Sequence, residues 1–385
     1  MADADDKKQS HTLADHLLGE NFVHHHEGDA DHDHDHFDLD DAGPLEENPI
    51  WIQDHVTLVT VGIDIGSSGT QVIFSRINLR RYGEDLTSRY YVVSRETLFQ
   101  SPVALTPYSS DVRIDEVALG GIIDGAYEAA GIKPEEIDTG VVILTGEALR
   151  RENAEAIAGL AAEQRGDFVT ATAGHHMESM LAAYGSGASK ASYDHDQRLL
   201  NIDIGGGTTK LALVEKGNVI ATAALHIGGR LHVVDEVVDE IGRLVRLDPA
   251  GKFHAREAGF FWNRGDVLAS SQLDRLAESM ADLLVAALTK RPLPHVIEHL
   301  YLTEPILDFG HIDGIMFSGG VGEYVYGREQ RDFGDMGRRL GVAIRRRVDK
   351  GALPWPLLPA GECIRATALG ASEYSVQLSG NTSYI

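Results

Sequence analysis

The chain has 385 residues, enough for two ordinary domains, and a formal net charge of −25, which argues against a nucleic-acid partner because phosphate backbones require basic stripes. The lone Cys363 excludes a disulfide framework, a thiolate zinc site and an iron–sulfur cluster held within one chain. No run approaches the roughly 18 apolar residues of a membrane span, and the opening "MADADDKKQS" lacks the basic-then-apolar order of a signal peptide, so the expectation is a cytoplasmic protein.

Residues 1–55 hold 16 Asp/Glu against 2 Lys, together with nine of the 18 His. Such a stretch cannot bury enough apolar surface to offset its ordering entropy, and it reads as a disordered leader. Its function is either a solvated acidic tail or a metal-binding tract, since imidazole and carboxylate suit zinc, nickel or copper. Within it, Leu13, Leu17, Leu18 and Phe22 share one helical face, as in a frayed terminal helix or a docking peptide.

From residue 56 the pattern becomes α/β. Strands are expected at 57–64, 69–77, 89–95 and 140–145, with a helix over 115–130 closed by Gly131 and Pro134. A second helix fits 148–164, with Glu147 and Glu152 at its start as cleft candidates or as acids favoured by the helix dipole. A strand at 167–171 and one helix over 175–188 follow, the latter leading directly into the run 200–213, after which strands 208–215 and 218–226 are joined by the turn "KGN". The paired His175 and His176 point apart on such a helix, which favours hydrogen bonding or surface exposure over metal binding. Helices are then expected at 231–246 and 266–290, a strand at 314–320, and a strand–helix pair over 363–378. The basic run "RRLGVAIRRRV" (338–348) reads as a solvated helix, with an amphipathic face for an acidic partner as the alternative. Strands alternating with helices imply a mixed or parallel sheet covered on both faces.

One phrase occurs twice. Residues 61–74 read "VGIDIGSSGTQVIF" and residues 200–213 read "LNIDIGGGTTKLAL". Each is a strand ending in an Asp, then a Gly/Ser/Thr turn, then a second strand. Asp64 and Asp203 place carboxylates where an apolar strand would not ordinarily tolerate them. A turn such as Gly66, Ser67, Ser68, Gly69, Thr70, or Gly205, Gly206, Gly207, Thr208, can cradle phosphate oxygens with backbone N–H groups. The strand-end Asp can hold Mg²⁺ through water, which that ion sheds reluctantly. One copy alone would equally be a tight β-turn. A third Gly-rich element, "IMFSGGVGEY" (315–324), places Gly319, Gly320, Val321 and Gly322 between a strand and a helix, where an adenine or ribose could approach. It matches neither the dinucleotide fingerprint nor a Walker loop.

These three elements, in this order, resemble the actin/Hsp70/sugar-kinase superfamily of two-lobed, ribonuclease H-like ATPases, whose nucleotide lies in an interdomain cleft. "ESMLAAYG" (178–185) and "RATALGASEYS" (365–375) look like its two connecting helices. A carboxylate on the first connector helps orient the attacking water in that superfamily, a role the resemblance carries over to Glu178; a plain helix-surface Glu is the alternative. The implied lobes are 56–190 and 191–362, with 363–385 returning to the first. Within the superfamily, "TQVIFSR", "ILTGEALRRENA", "GDFVTATAGHHMES", "LNIDIGGGT", "GGRL", "SGGVGE" and "QLSGNTSYI" together resemble the EutA family, the ethanolamine ammonia-lyase reactivating factors. That resemblance implies ATP and Mg²⁺ as cofactors, ethanolamine ammonia-lyase as partner, indirect handling of cobalamin, and a setting in the cytoplasm or a bacterial microcompartment. Family members continue beyond the counterpart of "QLSGNTSYI", so a shortened member or a fragment is implied. A small-molecule kinase of the same fold and a nucleotide-binding scaffold without turnover remain as alternatives; dehydratase activators need cluster-ligating cysteines that a single Cys363 cannot supply.

Overall fold

Both copies of the repeated phrase fold as antiparallel β-hairpins in the computed structural model of the chain, which describes residues 49–66, 69–81, 90–110, 113–145, 153, 167–172, 174–235 and 241–371. The chain divides into two compact units, Met1–Ile52 and Gln53–Ile385, and both hairpins lie in the second. In the first hairpin β1 (His55–Ile65) pairs with β2 (Gly69–Arg81), and β2 continues antiparallel to β3 (Tyr90–Gln100). Helix α1 (Glu116–Ala130) then crosses over to β4 (Thr139–Leu144), which runs parallel to β1, and β5 (Asp167–Thr172) runs parallel to β4. The order is β3-β2-β1-β4-β5, with the two-residue strand Ala104–Leu105 added to β2.

The second phrase repeats this plan. Strands β6 (Arg198–Ile204), β7 (Thr209–Glu215) and β8 (Asn218–Leu225) form an antiparallel meander, and β12 (Gly314–Ser318) lies parallel to β6, giving the order β8-β7-β6-β12. The strand order is ribonuclease H-like in both sheets, in the α/β class expected. Its cause is visible in burial. Val61, Ile63, Ile65, Val72 and Phe74 face Leu119, Ile123 and Tyr127 of α1, while Val141 and Ile143 face Leu181 on the opposite side. A sheet covered on both faces needs apolar residues at successive positions, which is why its strands read as continuous runs. α1 itself starts where the Asp115 carboxylate accepts the Ala118 N–H at 3.0 Å.

Several expectations are corrected. The single helix over 175–188 is two, α2 (His175–Gly185) and α3 (Ala188–His195), because Gly187 adopts φ 85°, outside any helix. The helix over 231–246 is absent: β9 (His232–Val234) and β10 (Ile241–Leu247) stand there instead, with residues 236–240 outside the described set. Along β10 exposed and buried side chains alternate, the period of a strand. Residues 363–365 form a turn rather than a strand, and a helix runs from 366 to the last described residue, 371. The helix expected over 266–290 is shorter, α5 (Ser270–Thr289), after α4 (Pro249–Glu257) and the short β11 (Val267–Ala269). The basic run lies on α7 (Gly337–Asp349), which follows α6 (Gly319–Val325); Arg338, Arg345 and Arg346 are exposed, as a solvated face requires, whereas Arg339 and Arg347 are half-buried and drawn into ion pairs. Arg347 reaches Glu278 at 2.7 Å and Asp282 at 2.6 Å on α5, and Arg339 pairs with Asp274. Among the described residues no helix is long and apolar enough to cross a membrane.

Helix α2 crosses the 366–371 helix at van der Waals limits. A Cβ on Gly185 would lie 1.8 Å from the Ala366 carbonyl oxygen, and one on Gly370 would lie 2.0 Å from that of Leu181. Backbone cannot yield as a side-chain end can. Gly185→Ala is therefore expected to destabilise the protein by about 3 kcal/mol or more, read as a lowered urea midpoint; an unchanged midpoint would show that the crossing is loose.

Candidate functional site

The two hairpins present their carboxylates in the same way. Asp64 lies opposite Gln71 in the β1–β2 register, and Asp203 lies opposite Lys210 in β6–β7. Each turn is closed by the same bond: the Gly66 N–H donates to the Gly69 carbonyl at 2.9 Å, and the Gly205 N–H to the Thr208 carbonyl at 3.0 Å. Each Asp also accepts a hydroxyl from the end of the neighbouring parallel strand. Thr145 Oγ1, just beyond β4, donates to Asp64 Oδ1 at 3.1 Å, and Ser318 Oγ, the last residue of β12, donates to Asp203 Oδ2 at 2.8 Å. Ser318 is itself held by Asn201 Nδ2 at 3.1 Å, and Asn201 Oδ1 accepts from Ser186 Oγ, just past the end of α2, at 3.0 Å. The duplication thus extends from the sequence to the ligands of each carboxylate.

Glu178, in the first turn of α2, joins them. It is 3% exposed, and its Oε2 lies 2.6 Å from Lys210 Nζ, which also donates to Thr208 Oγ1 at 2.5 Å. The four charges feel one another. Burial, reinforced by Glu178 and Asp203 and opposed by Thr145 and Lys210, pushes the half-buried Asp64 up to about 7. Burial likewise raises Asp203 to about 6, against Lys210 and its bond from Ser318. Burial alone would also raise Glu178, but Lys210 and His175 outweigh it and hold that carboxyl below the ordinary range.

The turns flank this cluster unevenly. Gly66, Gly69 and Gly205–Gly207 are half-exposed, whereas Thr70 is buried with its hydroxyl 3.0 Å from that of Thr106. Ser67 and Ser68 lie outside the described residues, as do Glu147, Glu152 and, apart from Asn153, the expected helix 148–164. Gly319 has φ 79°, and a Cβ there would meet the Ile204 carbonyl at 2.4 Å, so only glycine lets β12 turn against the end of β6. Its N–H donates to the Cys363 carbonyl. Val321 belongs to the core and Gly322 packs on Phe317 and Cys363, leaving Gly320 as the half-exposed member of that element. His176 bonds Thr222 at 2.6 Å, the hydrogen-bonding role expected of it.

Thr145, Ser318 and above all Lys210 are absent from the sequence reading. One signal for Lys210 was available: Gln71 and Lys210 stand seven residues after their Asp, polar interruptions of otherwise apolar strands.

Three acids face one lysine here, a deficit of positive charge that a divalent cation would fill. Among the described residues no three His, Cys, Asp or Glu side chains converge as a closed metal cage. An open set of one or two carboxylates suits Mg²⁺, which keeps water and takes phosphate oxygens as its other ligands.

The profile of the family described as "Ethanolamine utilisation protein EutA" matches residues 56–385. The chain belongs to the EutA family. Two relatives bear the name ethanolamine ammonia-lyase reactivase EutA. The one from Salmonella typhimurium is 37% identical over 340 residues, and that from Escherichia coli 36% over 337; each match covers 85% of this EutA-family chain and 69% of the relative. Among solved structures, (R)-2-hydroxyglutaryl-CoA dehydratase component A from Acidaminococcus fermentans aligns with TM-score 0.40 at 15% identity, over 84% of this chain and 100% of that one.

Proposed function

We propose that this chain is an ATP-dependent reactivating factor for ethanolamine ammonia-lyase, exchanging damaged, adenosyl-less cobalamin in the lyase for intact adenosylcobalamin in the cytoplasm. The observation that carries the reading is the convergence of Asp64, Asp203, Glu178 and Lys210 between two matching hairpins, in a family whose curated relatives are named as reactivases. The sheets are read as two lobes, 56–190 and 191–362, with 363–385 returning to the first. The two turns, Gly66–Thr70 and Gly205–Thr208, would face the phosphates through their half-exposed glycines Gly66, Gly69, Gly205, Gly206 and Gly207, and Gly320 would face the adenosine. Asp64 and Asp203 would hold Mg²⁺, which supplies neutralisation of phosphate charge.

The chain's own residues do the rest. Thr145 and Ser318 aim the two Asp carboxylates, and Glu178, kept ionised by Lys210, accepts a hydrogen bond from the attacking water. Coupling to the lyase is then linkage: nucleotide state biases lobe closure, and closure changes affinity for the partner. The kinase reading has no observation in its favour.

The experiment mixes the chain with cyanocobalamin-inactivated ethanolamine ammonia-lyase, ATP, Mg²⁺ and adenosylcobalamin. Deamination is expected to return only with all components present. Return at the same rate without ATP, or none in the complete mixture, would sink the proposal.

A further inference from the structure

The two hairpins differ at one chemically decisive position. Gln71 and Lys210 occupy the same place, opposite the Asp and 7% exposed, yet they are used differently. Gln71 is tied to the backbone, its Nε2 donating to the Ile364 carbonyl at 3.0 Å. Lys210 has side-chain partners instead: Nζ stands between the Glu178 carboxylate and the Thr208 hydroxyl. One partner closes the glycine turn and the other is the acid assigned to the water. A buried ion pair adds little stability over a well-packed apolar pair, so structure alone does not explain a lysine here. An ammonium is a compact charge with three donors on a flexible stem, able to exchange one anionic partner for another.

We propose that Lys210 is a two-position cation that rests on Glu178 when no terminal phosphate is present and transfers to the terminal phosphate of a bound nucleoside triphosphate, freeing Glu178 for water. The inference rests on the nucleotide reading above and deepens it by naming what distinguishes triphosphate from diphosphate. Thr208 remains within reach in both positions because it belongs to the turn itself. Gln71, fixed to Ile364, gives the first hairpin no equivalent device, so sensing is one-sided.

The test is calorimetric binding of a non-hydrolysable ATP analogue and of ADP, each with Mg²⁺, to the full chain and to Lys210→Gln, Glu178→Gln and the double variant. Lys210→Gln is expected to weaken the triphosphate about tenfold and ADP by less than about threefold, the worth of one charge-assisted contact. Glu178→Gln, which releases the lysine, should tighten the triphosphate by about threefold or more. That gain should vanish in the double variant. Equal weakening of both nucleotides, unchanged affinities, or a gain that persists without Lys210 would overturn the proposal. Should Lys210→Gln melt below the assay temperature, Glu178→Gln against the double variant decides, since they differ only at position 210 and neither strands the Glu178 carboxylate. Failure of the unaltered chain to bind either nucleotide would overturn the nucleotide reading itself, a result visible before any variant is compared.

Discussion

Asp203→Asn is expected to lower Mg·ATP turnover by on the order of 100-fold or more while leaving the fold intact. The amide oxygen can still accept the Ser318 hydroxyl, so the β6–β12 junction keeps its bond; what disappears is the charge that would hold the cation. Stability should move the other way. Asp203 in the folded protein is raised from 3.8 to about 6, so the native state binds its proton more tightly than the unfolded chain does. The ionised form therefore opposes folding, and the parent protein loses stability as pH rises from about 4 to about 6. Asparagine has no such cost, so the variant's advantage should appear over that window and level off above it, at up to roughly 3 kcal/mol. Phosphate release and urea midpoints at pH 4 and pH 7 check both halves. Unchanged turnover would remove Asp203 from the cleft chemistry.

The parts of this site that could be read from the sequence are those where one residue type has one structural meaning. An Asp near the end of an apolar strand before a glycine turn is such a case: Asp64 and Asp203 hold matching places in their hairpins, and Asp203 adds to the electrostatic rise at Asp64. Lys210 was not legible because alternate residues of an exposed hairpin are commonly lysine. Only the register that places it opposite Asp203, together with the approach of Glu178 from α2, makes it interior. Thr145 and Ser318 were hidden for a related reason: their partners are 81 and 115 residues away in sequence. The stretch 231–246 misled through its spacing. Leu231, Val234, Val238, Ile241 and Val245 satisfy a helical stripe, but β-branched residues crowd a helix and suit a pleated surface, and Ile241 and Val245 turn outward while Leu244 enters the core. The basic face of α7 invited a solvated reading because its acids, Asp274, Glu278 and Asp282, lie on another helix.

Lys210→Met is expected to be among the most destabilising changes in the protein near neutral pH, by about 3–5 kcal/mol, because it strands the buried Glu178 carboxylate. The pH dependence separates this cause from lost packing. With Lys210 present, Glu178 is held below its ordinary 4.5, so the pair contributes stability above that value and loses it as pH falls through the folded-state pKa. Without the lysine, burial dominates and the Glu178 pKa moves above 4.5, so the folded variant takes up a proton that the unfolded chain releases. The variant's deficit should consequently shrink as pH is lowered from 8 toward 5, whereas a cavity or a clash would cost the same at both. Replacing both partners, Lys210→Met with Glu178→Leu, should recover most of the loss, since an apolar pair of similar volume carries no desolvation cost. Urea midpoints of the three proteins at pH 5 and pH 8 decide the matter: a deficit equal at both pH values, and not recovered in the double variant, would mean that Lys210 acts in the fold through its methylene stem and not through its charge.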